Sequence, residues 1–208
     1  MLSVRSDTKQ LTAYLNRVQR KQIPFATAKA LTQTAFDVRA FIQRALPRFL
    51  DRPTKGIIRS VQVLKATKYN FTARVGFAGL GFGKTMWKES PAKIMRYHIK
   101  GGTRYPNKTA IAVPVQQKTN KYGNLPRNKI SKLLGDKSKY FSGTPKGMSN
   151  AGIYQRTKKK LKMLVAWEPK ATYQGGRFPF KTIVVRGVAK HYRKRFVKAL
   201  QDALKTAR

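Results

Sequence analysis

A glycine-rich segment followed by lysine is the first feature of this sequence that could bind a phosphate group. Residues 78–85 read Ala-Gly-Leu-Gly-Phe-Gly-Lys-Thr, which resembles a relaxed phosphate-binding loop. A true loop of this kind follows a strand, opens a long helix and works with an acid that holds magnesium. Pro91 limits the helix to about Glu89, and no apolar strand ending in Asp follows. Because glycine and lysine meet by chance in so basic a chain, we do not expect nucleotide binding here.

The acidic residues offer one pattern with the spacing of a nuclease metal site. Asp136 precedes Glu168-Pro-Lys170, an Asp…Glu-x-Lys arrangement at the expected end of a strand. Metal-dependent cleavage of phosphodiesters needs converging carboxylates, whereas these acids are scattered and Pro169 interrupts the motif. The two histidines, His98 and His191, lack ligand spacing to any carboxylate. We therefore expect no catalytic residue, no metal site and no cofactor, and we do not expect an enzyme.

Positive charge dominates the composition of the chain. Its 208 residues include 46 Lys and Arg against 7 Asp and Glu, a formal net charge of +39. The net charge is +7 over residues 1–50, +9 over 51–100, +9 over 101–150 and +14 over 151–208. Because so much like charge repels itself, a polyanion is the expected partner.

Two basic clusters are placed where they could reach phosphate groups. The first lies on and beside an expected hairpin turn, and the second lies on an expected C-terminal helix. Their members are Lys158, Lys159, Lys160, Lys162, Arg186, Lys190, Arg193, Lys194, Arg195 and Lys198. A solvated face would normally mix signs, so we interpret both clusters as contacts to DNA or to an acidic protein. Without a zinc finger or a clear helix-turn-helix, any DNA contact should depend on charge and shape.

The remaining composition indicates a folded protein and not a basic tail. Apolar residues make up 41% of the chain and aromatic residues 11%, which is enough for a core. The absence of cysteine excludes disulfides and thiolate metal sites. No signal-peptide run and no stretch of roughly 20 apolar residues is found, so we expect no membrane association and synthesis in a cytosol.

Apolar spacing predicts helices at both ends of the chain. Lys9 to Ile23 is a plausible first helix, and Pro24 suits the first turn of a second. The second carries a stripe at helical spacing, formed by Ala28, Leu31, Ala35, Val38, Ile42, Ala45 and Phe49. We favour a helix lying on a sheet; the alternative is a helix–helix seam between subunits. A final helix from about Phe180 carries a winding stripe of Phe180, Val184, Val188, Tyr192, Phe196, Leu200 and Leu204.

The middle of the chain alternates with a period of two and therefore predicts strands. Residues 61–63 and 71–77 form one expected hairpin around Lys68-Tyr-Asn70, and residues 110–115 form a further short strand. Residues 153–156 and 161–167 form a second hairpin with its turn at Thr157–Lys160. In that hairpin an alternating pattern would place one row of apolar side chains on a single face: Leu161, Met163, Val165 and Trp167.

Residues 116–150 are rich in Lys, Asn, Gly and Ser and contain few apolar anchors. We interpret this segment as a flexible basic insertion that becomes ordered on contact with a partner. The order of elements then predicts a single α+β domain over residues 1–208. In it a small antiparallel sheet is packed by N-terminal helices and by a long C-terminal helix.

Seven short blocks, taken in their order and spacing, carry a resemblance that spans most of the chain. They are Ala30-Leu-Thr-Gln-Thr-Ala35, Asp51-Arg-Pro-Thr54, Ala73-Arg-Val75, Gly101-Gly-Thr-Arg104, Tyr122-Gly-Asn-Leu125, Gly152-Ile-Tyr-Gln-Arg156 and Ala199-Leu200. In these blocks the chain resembles minor tail protein Z-like and related neck or tail-completion proteins of tailed bacteriophages. The resemblance implies a small α+β structural module without catalytic residues. Such modules form rings at the head–tail junction or upper tail, through which the genome passes.

Charge and resemblance together predict a structural virion protein at the phage head–tail connection or tail end, made in the host cytoplasm. The resemblance implies virion proteins as partners, namely portal, adaptor, tail tube or terminator, and further copies of the chain in a homo-oligomeric ring. The charge implies double-stranded DNA, bound without sequence specificity. The alternative function is a stand-alone nucleic-acid-binding protein, such as a ribosome-associated or DNA-condensing factor. A phage nuclease is a third and weaker alternative.

Overall fold

The structure, a computed structural model, describes residues 8–79, 81–82, 89–107 and 109–205. The helices in these ranges are α1 Thr8–Arg17, α2 Ile23–Phe49, α3 Lys55–Arg59, α4 Pro91–Lys100, α5 Lys129–Gly135 and α6 Phe180–Lys205. The strands are β1 Val61–Leu64, β2 Arg74–Phe77, β3 Gly102–Arg104, β4 Ile111–Pro114, β5 Tyr140–Gly143, β6 Gly152–Arg156, β7 Leu161–Glu168 and β8 Ala171–Tyr173. All strand pairs found there are antiparallel. The fold is α+β with long helices at both ends, as the sequence predicted.

The chain forms two compact units, each made of separate segments of the sequence. The first unit consists of the described residues of Met1–Arg48, Lys55–Ile94 and Pro179–Arg208. The second consists of those of Phe49–Thr54 and Met95–Phe178. The helical ends of the sequence therefore belong to one unit, and most strands belong to the other.

In the first unit, α2 packs against α6 of the same chain. A buried cluster joins Ala26 and Ala30 of α2 to Ala199 and Ala203 of α6. Gly187 extends this seam, because a Cβ atom added there would lie only 3.0 Å from Cγ2 of Val38. The apolar stripe of α2 is therefore covered in part by a helix, and the favoured interpretation of a helix lying on a sheet describes only part of its surroundings.

Close approach of the two helices also explains why the most buried residues of α6 differ from its predicted stripe, of which Tyr192, Phe196 and Leu200 pack against the seam. The buried residues of α6 are Ile183, Gly187, Ala199 and Ala203, which are mostly small. The larger residues of the predicted stripe lie beside this seam, and two of them, Val188 and Leu204, remain exposed. Small side chains let two backbones approach, so the seam follows them and not the largest apolar residues.

A π-helical turn, Val18–Gln22, connects α1 to α2. Pro24 is the second residue of α2, close to the expected position. Because the π-helical turn runs directly into α2, Pro24 lies inside a continuous helical segment, and its missing N–H falls where the hydrogen-bond pattern changes from π to α. Pro47 lies in the last turn of α2, which ends at Phe49.

A two-stranded sheet of β1 and β2 lies beside α2 in the first unit. Val61 pairs with Phe77 and Val63 with Val75, as the alternating pattern predicts. The loop between the strands is closed by hydrogen bonds between the backbones of Thr67 and Asn70, 2.9 Å and 3.2 Å long. The predicted hairpin turn at residues 68–70 is therefore confirmed.

The second unit is built on a four-stranded sheet in the order β4-β7-β6-β5, and β3 pairs with β8 in a separate sheet. Helix α5 covers the larger sheet through Leu133, which is buried with Ile153, Leu164 and Val165. The predicted hairpin of residues 153–167 is confirmed as β6 and β7. The cluster around Leu133 forms part of the core of this unit.

Two predictions about this unit were wrong. Residues 116–150 are not a loop throughout, since they contain α5 and β5. The apolar anchors are few but sufficient, because Leu133 is buried against the sheet and Ile130 and Leu134 pack around it. The predicted single row of apolar residues on β7 is also interrupted. Ile153 pairs with Val165 and the next residue, Tyr154, pairs with Met163, so Leu164 has no partner on β6 and forms a bulge.

Candidate nucleic-acid interface

The turn between β6 and β7 presents the first predicted basic cluster. Thr157 closes the turn, because its N–H donates to the carbonyl oxygen of Lys160 at 3.2 Å. The N–H of Lys160 donates in return to Oγ1 of Thr157, also at 3.2 Å. Lys158, Lys159 and Lys160 are all exposed at this tip. A closed turn with no apolar side chain can direct its ammonium groups outward without disturbing the core.

Arg156 fixes the base of this tip. Its Nη1 donates to the carbonyl oxygen of Lys137 at 2.9 Å, and its guanidinium lies 4.5 Å from the centre of the Phe141 ring. The N–H of Arg156 also donates to the carbonyl oxygen of Lys139 at 2.8 Å. The residues before β5 are thereby held against the hairpin.

These contacts add lysines that the sequence analysis missed. Lys137 and Lys139 are exposed beside the hairpin that carries Lys158–Lys160 and Lys162. No signal in the sequence linked the two groups, because residues 116–150 were interpreted as a loop without fixed neighbours. We call the six lysines the hairpin surface: Lys137, Lys139, Lys158, Lys159, Lys160 and Lys162.

Asp136, the acid beside this surface, is paired with its sequence neighbours. Oγ of Ser138 donates to Oδ1 of Asp136 at 2.6 Å, and Nζ of Lys139 lies 3.8 Å from Oδ2. The hydrogen bond from Ser138 is the main cause of the lowered pKa of Asp136. The carboxylate is therefore charged at neutral pH, and it offsets one positive charge of the hairpin surface.

The second predicted cluster lies on α6, in the other unit. Arg186, Lys190, Arg193, Lys194 and Lys198 are all exposed. A shallow depression of about 760 Å³ is lined by four of these residues, Lys190, Arg193, Lys194 and Lys198, and by Lys205. Residues at these spacings share one side of a helix. We call these five depression-lining residues the helix surface.

Arg195 does not belong to the helix surface, although the sequence placed it there. Its Nε donates to Oδ2 of Asp37 at 2.7 Å and its Nη2 donates to Oδ1 at 2.8 Å, a two-point ion pair between α6 and α2. This hydrogen bonding is the main cause of the lowered pKa of Asp37 and the raised pKa of Arg195. Nδ1 of His191 lies 3.9 Å from the same carboxylate. Sequence spacing could not find this cluster, because its members lie on two distant helices.

Most acidic residues in the described ranges form ion pairs within the chain. Five of the six acids in the described ranges have a Lys or Arg partner in the same chain: Asp37–Arg195, Asp51–Arg52, Glu89–Lys93, Asp136–Lys139 and Asp202–Lys29. The sixth, Glu168, ends β7. The positive excess therefore has little internal compensation, and the hairpin and helix surfaces carry it to solvent.

The residues of the other candidate chemistries are partly described. Half of the glycine-rich segment, including Lys84 and Thr85, lies outside the described residues. Within the described part of the chain, no three His, Asp or Glu side chains are grouped closely enough to hold a metal ion. His98 is partly buried, which is the main cause of its lowered pKa, and its Nδ1 has no hydrogen-bond partner among the described residues.

Comparisons with protein-family models, with curated proteins and with solved structures found no match. None of the helices among the described residues is both long and apolar enough to cross a membrane.

Proposed function

We propose that this chain is a non-enzymatic structural protein that binds double-stranded DNA through phosphate contacts, without base specificity. One observation carries the proposal: most acidic residues form ion pairs within the chain, while the lysines of the hairpin and helix surfaces are exposed. Lysine is a flexible point charge that tolerates any base sequence. Phosphate contacts of this kind set orientation and affinity but do not read sequence.

The proposed location is the phage head–tail connection or tail end, in a ring that joins other virion components. This part rests on the resemblance to neck and tail-completion proteins and on the α+β fold that the resemblance implies. A ring repeats the hairpin and helix surfaces around an axis, so it concentrates positive charge. Such a ring suits passage of DNA or contact with acidic faces of portal, adaptor or tail-tube subunits.

Salt dependence tests the DNA contact. With six to ten phosphate contacts, affinity for duplex DNA should fall roughly 10³- to 10⁵-fold between about 50 and 200 mM salt. Replacing Lys158, Lys159 and Lys160 by Ala should lower the slope of log affinity against log salt by about 0.9 for each phosphate that is no longer bound. Folding should persist, because the turn buries little. Fluorescence anisotropy with duplexes of two unrelated sequences measures both slope and specificity.

A charge-matched variant controls for the change in net charge. Lys118, Lys121 and Lys146 are exposed in the same unit and lie outside the hairpin surface. Their triple replacement by Ala removes the same three charges, yet it should change the slope less than the hairpin triple. Equal slopes for the two triples would place DNA elsewhere, and replacing Lys190, Arg193 and Lys194 by Ala then tests the helix surface.

A stand-alone nucleic-acid-binding protein is the alternative, which the same surfaces would also suit. Negative-stain imaging of the purified protein with its virion partners separates the two functions. Rings or density at the particle end support the proposed virion role. Dispersed copies coating nucleic acid would contradict it and favour the alternative.

A further inference from the structure

The hairpin of β1 and β2 ends in an aromatic ring that is almost entirely in solvent. Tyr69 is 85% exposed, the largest value among the exposed large apolar side chains in the described ranges. Tyr69 belongs to a turn that neither basic cluster includes. A ring that lies so far from any core adds little to packing, so it can contact a partner without disturbing the fold.

The tip is held in place despite its exposure. The N–H of Asn70 donates to the backbone carbonyl oxygen of Thr67 at 3.2 Å and to Oγ1 of Thr67 at 3.0 Å. At the base of the tip, the N–H of Ala66 donates to Oγ1 of Thr32 on α2 at 3.1 Å. Bonds within the tip and at its base limit the entropy that Tyr69 would lose on binding.

Positive charge surrounds the ring. Nζ of Lys68 lies 4.9 Å from the centre of the Tyr69 ring, a cation–π contact that occupies one face. Lys65 and Arg74 on the same hairpin are exposed, and no acid occurs between residues 52 and 88. An electropositive tip attracts phosphates, and the exposure of Tyr69 leaves its other face open to a flat, aromatic group.

A cleft adjoins the tip within the same unit. It has a volume of about 430 Å³ and is lined by Phe25, Ala28, Thr32, Ala66 and Lys68, among others. Phe25 is itself more than half exposed. The cleft therefore offers apolar surface and a second aromatic ring on the side of Lys68, within the range of volumes that small planar ligands occupy.

We propose that the β1–β2 hairpin binds unpaired nucleic-acid bases, with Tyr69 stacking on a base and Lys65 and Lys68 contacting the flanking phosphates. This inference rests on the proposed function only for the presence of a nucleic acid. Stacking on an aromatic side chain tolerates any base, so it preserves the absence of sequence specificity. It adds a preference for single strands, because bases in a duplex are already stacked on one another.

The test compares variants of the full chain on three labelled probes: a short oligothymidylate, a duplex of equal length and an abasic strand of equal length. Tyr69→Ala should weaken binding to oligothymidylate roughly 5- to 150-fold while leaving its salt slope unchanged. Tyr69→Phe should retain binding, and Tyr69→Leu should not. On the abasic strand, wild type and Tyr69→Ala should bind equally.

Two further variants separate stacking from charge. Lys68→Ala should lower the salt slope by about 0.9, which Tyr69→Ala should not. Tyr105 is 68% exposed in the other unit, and Tyr105→Ala is the matched aromatic control with an expected change near zero. Thermal unfolding of each variant should match wild type, because none of these side chains is buried.

Unchanged affinity of Tyr69→Ala for oligothymidylate overturns the inference. If that variant instead alters oligomeric state in sedimentation, the tip contacts protein and the inference is equally overturned. Duplex binding that is weakened in the Lys158–Lys160 triple but not in Tyr69→Ala supports the proposed function independently. A wild type that binds oligothymidylate but not duplex would leave the stacking inference standing and contradict the proposed function.

Discussion

At the scale of single residues, two arginines bind partners within the chain while the lysines of the β6–β7 turn face solvent. Arg156 and Arg195 bind partners within the chain, through carbonyl oxygens and through Asp37 respectively. Lysines at the tip of the β6–β7 hairpin have no such contact with a carboxylate among the described residues. Arginine suits the internal role because its planar group makes two directed hydrogen bonds, whereas lysine is a mobile point charge.

Replacing Asp37 by Asn should reduce the free energy of unfolding at neutral pH by about 1–2 kcal/mol. This value is smaller than for a fully buried ion pair, because solvent screens the partly exposed Arg195. Arg195 lowers the pKa of Asp37 below its ordinary value of 3.8. The stabilisation is therefore present above that value and is lost as pH falls through the lower pKa of the folded state. The difference between wild type and variant should shrink as pH falls from about 5 to about 2 in urea titrations.

Asp51→Asn is the matched control for this prediction. Asp51 also pairs with an arginine, Arg52, but both side chains are largely exposed and adjacent in sequence. Its replacement should change stability less than that of Asp37 at neutral pH. An equal loss in both variants would mean that the link between α2 and α6 contributes nothing beyond an ordinary surface pair.

At the scale of elements, small residues decide how the long helices meet. Ala26, Ala30, Ala199 and Ala203 are buried together, and Gly187 lies against Val38. In the second unit a short helix, α5, contributes Leu133 to the core of the four-stranded sheet. In both units a few small or isolated apolar residues position basic segments that would otherwise repel one another.

Ala30→Leu should lower the free energy of unfolding by about 1–3 kcal/mol, because the added carbons have no space between α2 and α6. Ala40 lies on the exposed side of the same helix, so Ala40→Leu should leave stability nearly unchanged. Chemical denaturation followed by circular dichroism measures both variants. Equal stability of Ala30→Leu and wild type would contradict the packing of α2 on α6.

Hydrogen exchange tests which parts of residues 116–150 are ordered in the free protein. Amides of α5 should be protected, because Leu133 anchors that helix. Amides of residues 144–150, which form no helix or strand, should exchange fast in the free protein and slow down in the assembled particle. Fast exchange throughout 129–143 would instead support a flexible insertion over the whole segment.

At the scale of the whole molecule, self-repulsion opposes assembly while exposed apolar side chains favour it. The net charge is +39, and α6 leaves Val185, Val188 and Val197 exposed. Because the helical stripes are partly buried within the chain, they offer less surface to a neighbouring copy than the sequence suggested. The exposed valines of α6 and the exposed Phe25, Phe36 and Phe49 of α2 are candidates for contact between copies or with a pre-formed ring.

Self-association is expected once salt or DNA screens the charge, since screening shortens the range of repulsion. Sedimentation velocity should show larger species at high salt or with DNA than at low salt. The double variant Val185→Ser, Val188→Ser should weaken this association, whereas Val115→Ser in the other unit should not. A protein that stays monomeric in every condition, and is single-copy in virions, would rule out the ring.

The sequence by itself determined the α+β class, both hairpins, the long C-terminal helix and the excess of positive charge. Each of the structural features follows from local spacing: a period of two for β6 and β7, helical spacing for α2, and turn residues at 68–70 and 157–160. Lys158–Lys160 could be predicted as exposed for the same reason, because a tight turn leaves them no core to enter.

Only the tertiary structure decided which residues meet across the chain. It paired Arg195 with Asp37, 158 residues away, and it brought Lys137 and Lys139 to the β6–β7 hairpin through Arg156. It also buried Leu133, which converted an apparent loop into a helix on a sheet. Such contacts depend on where distant backbones pass one another, and spacing along a sequence carries no information about that distance.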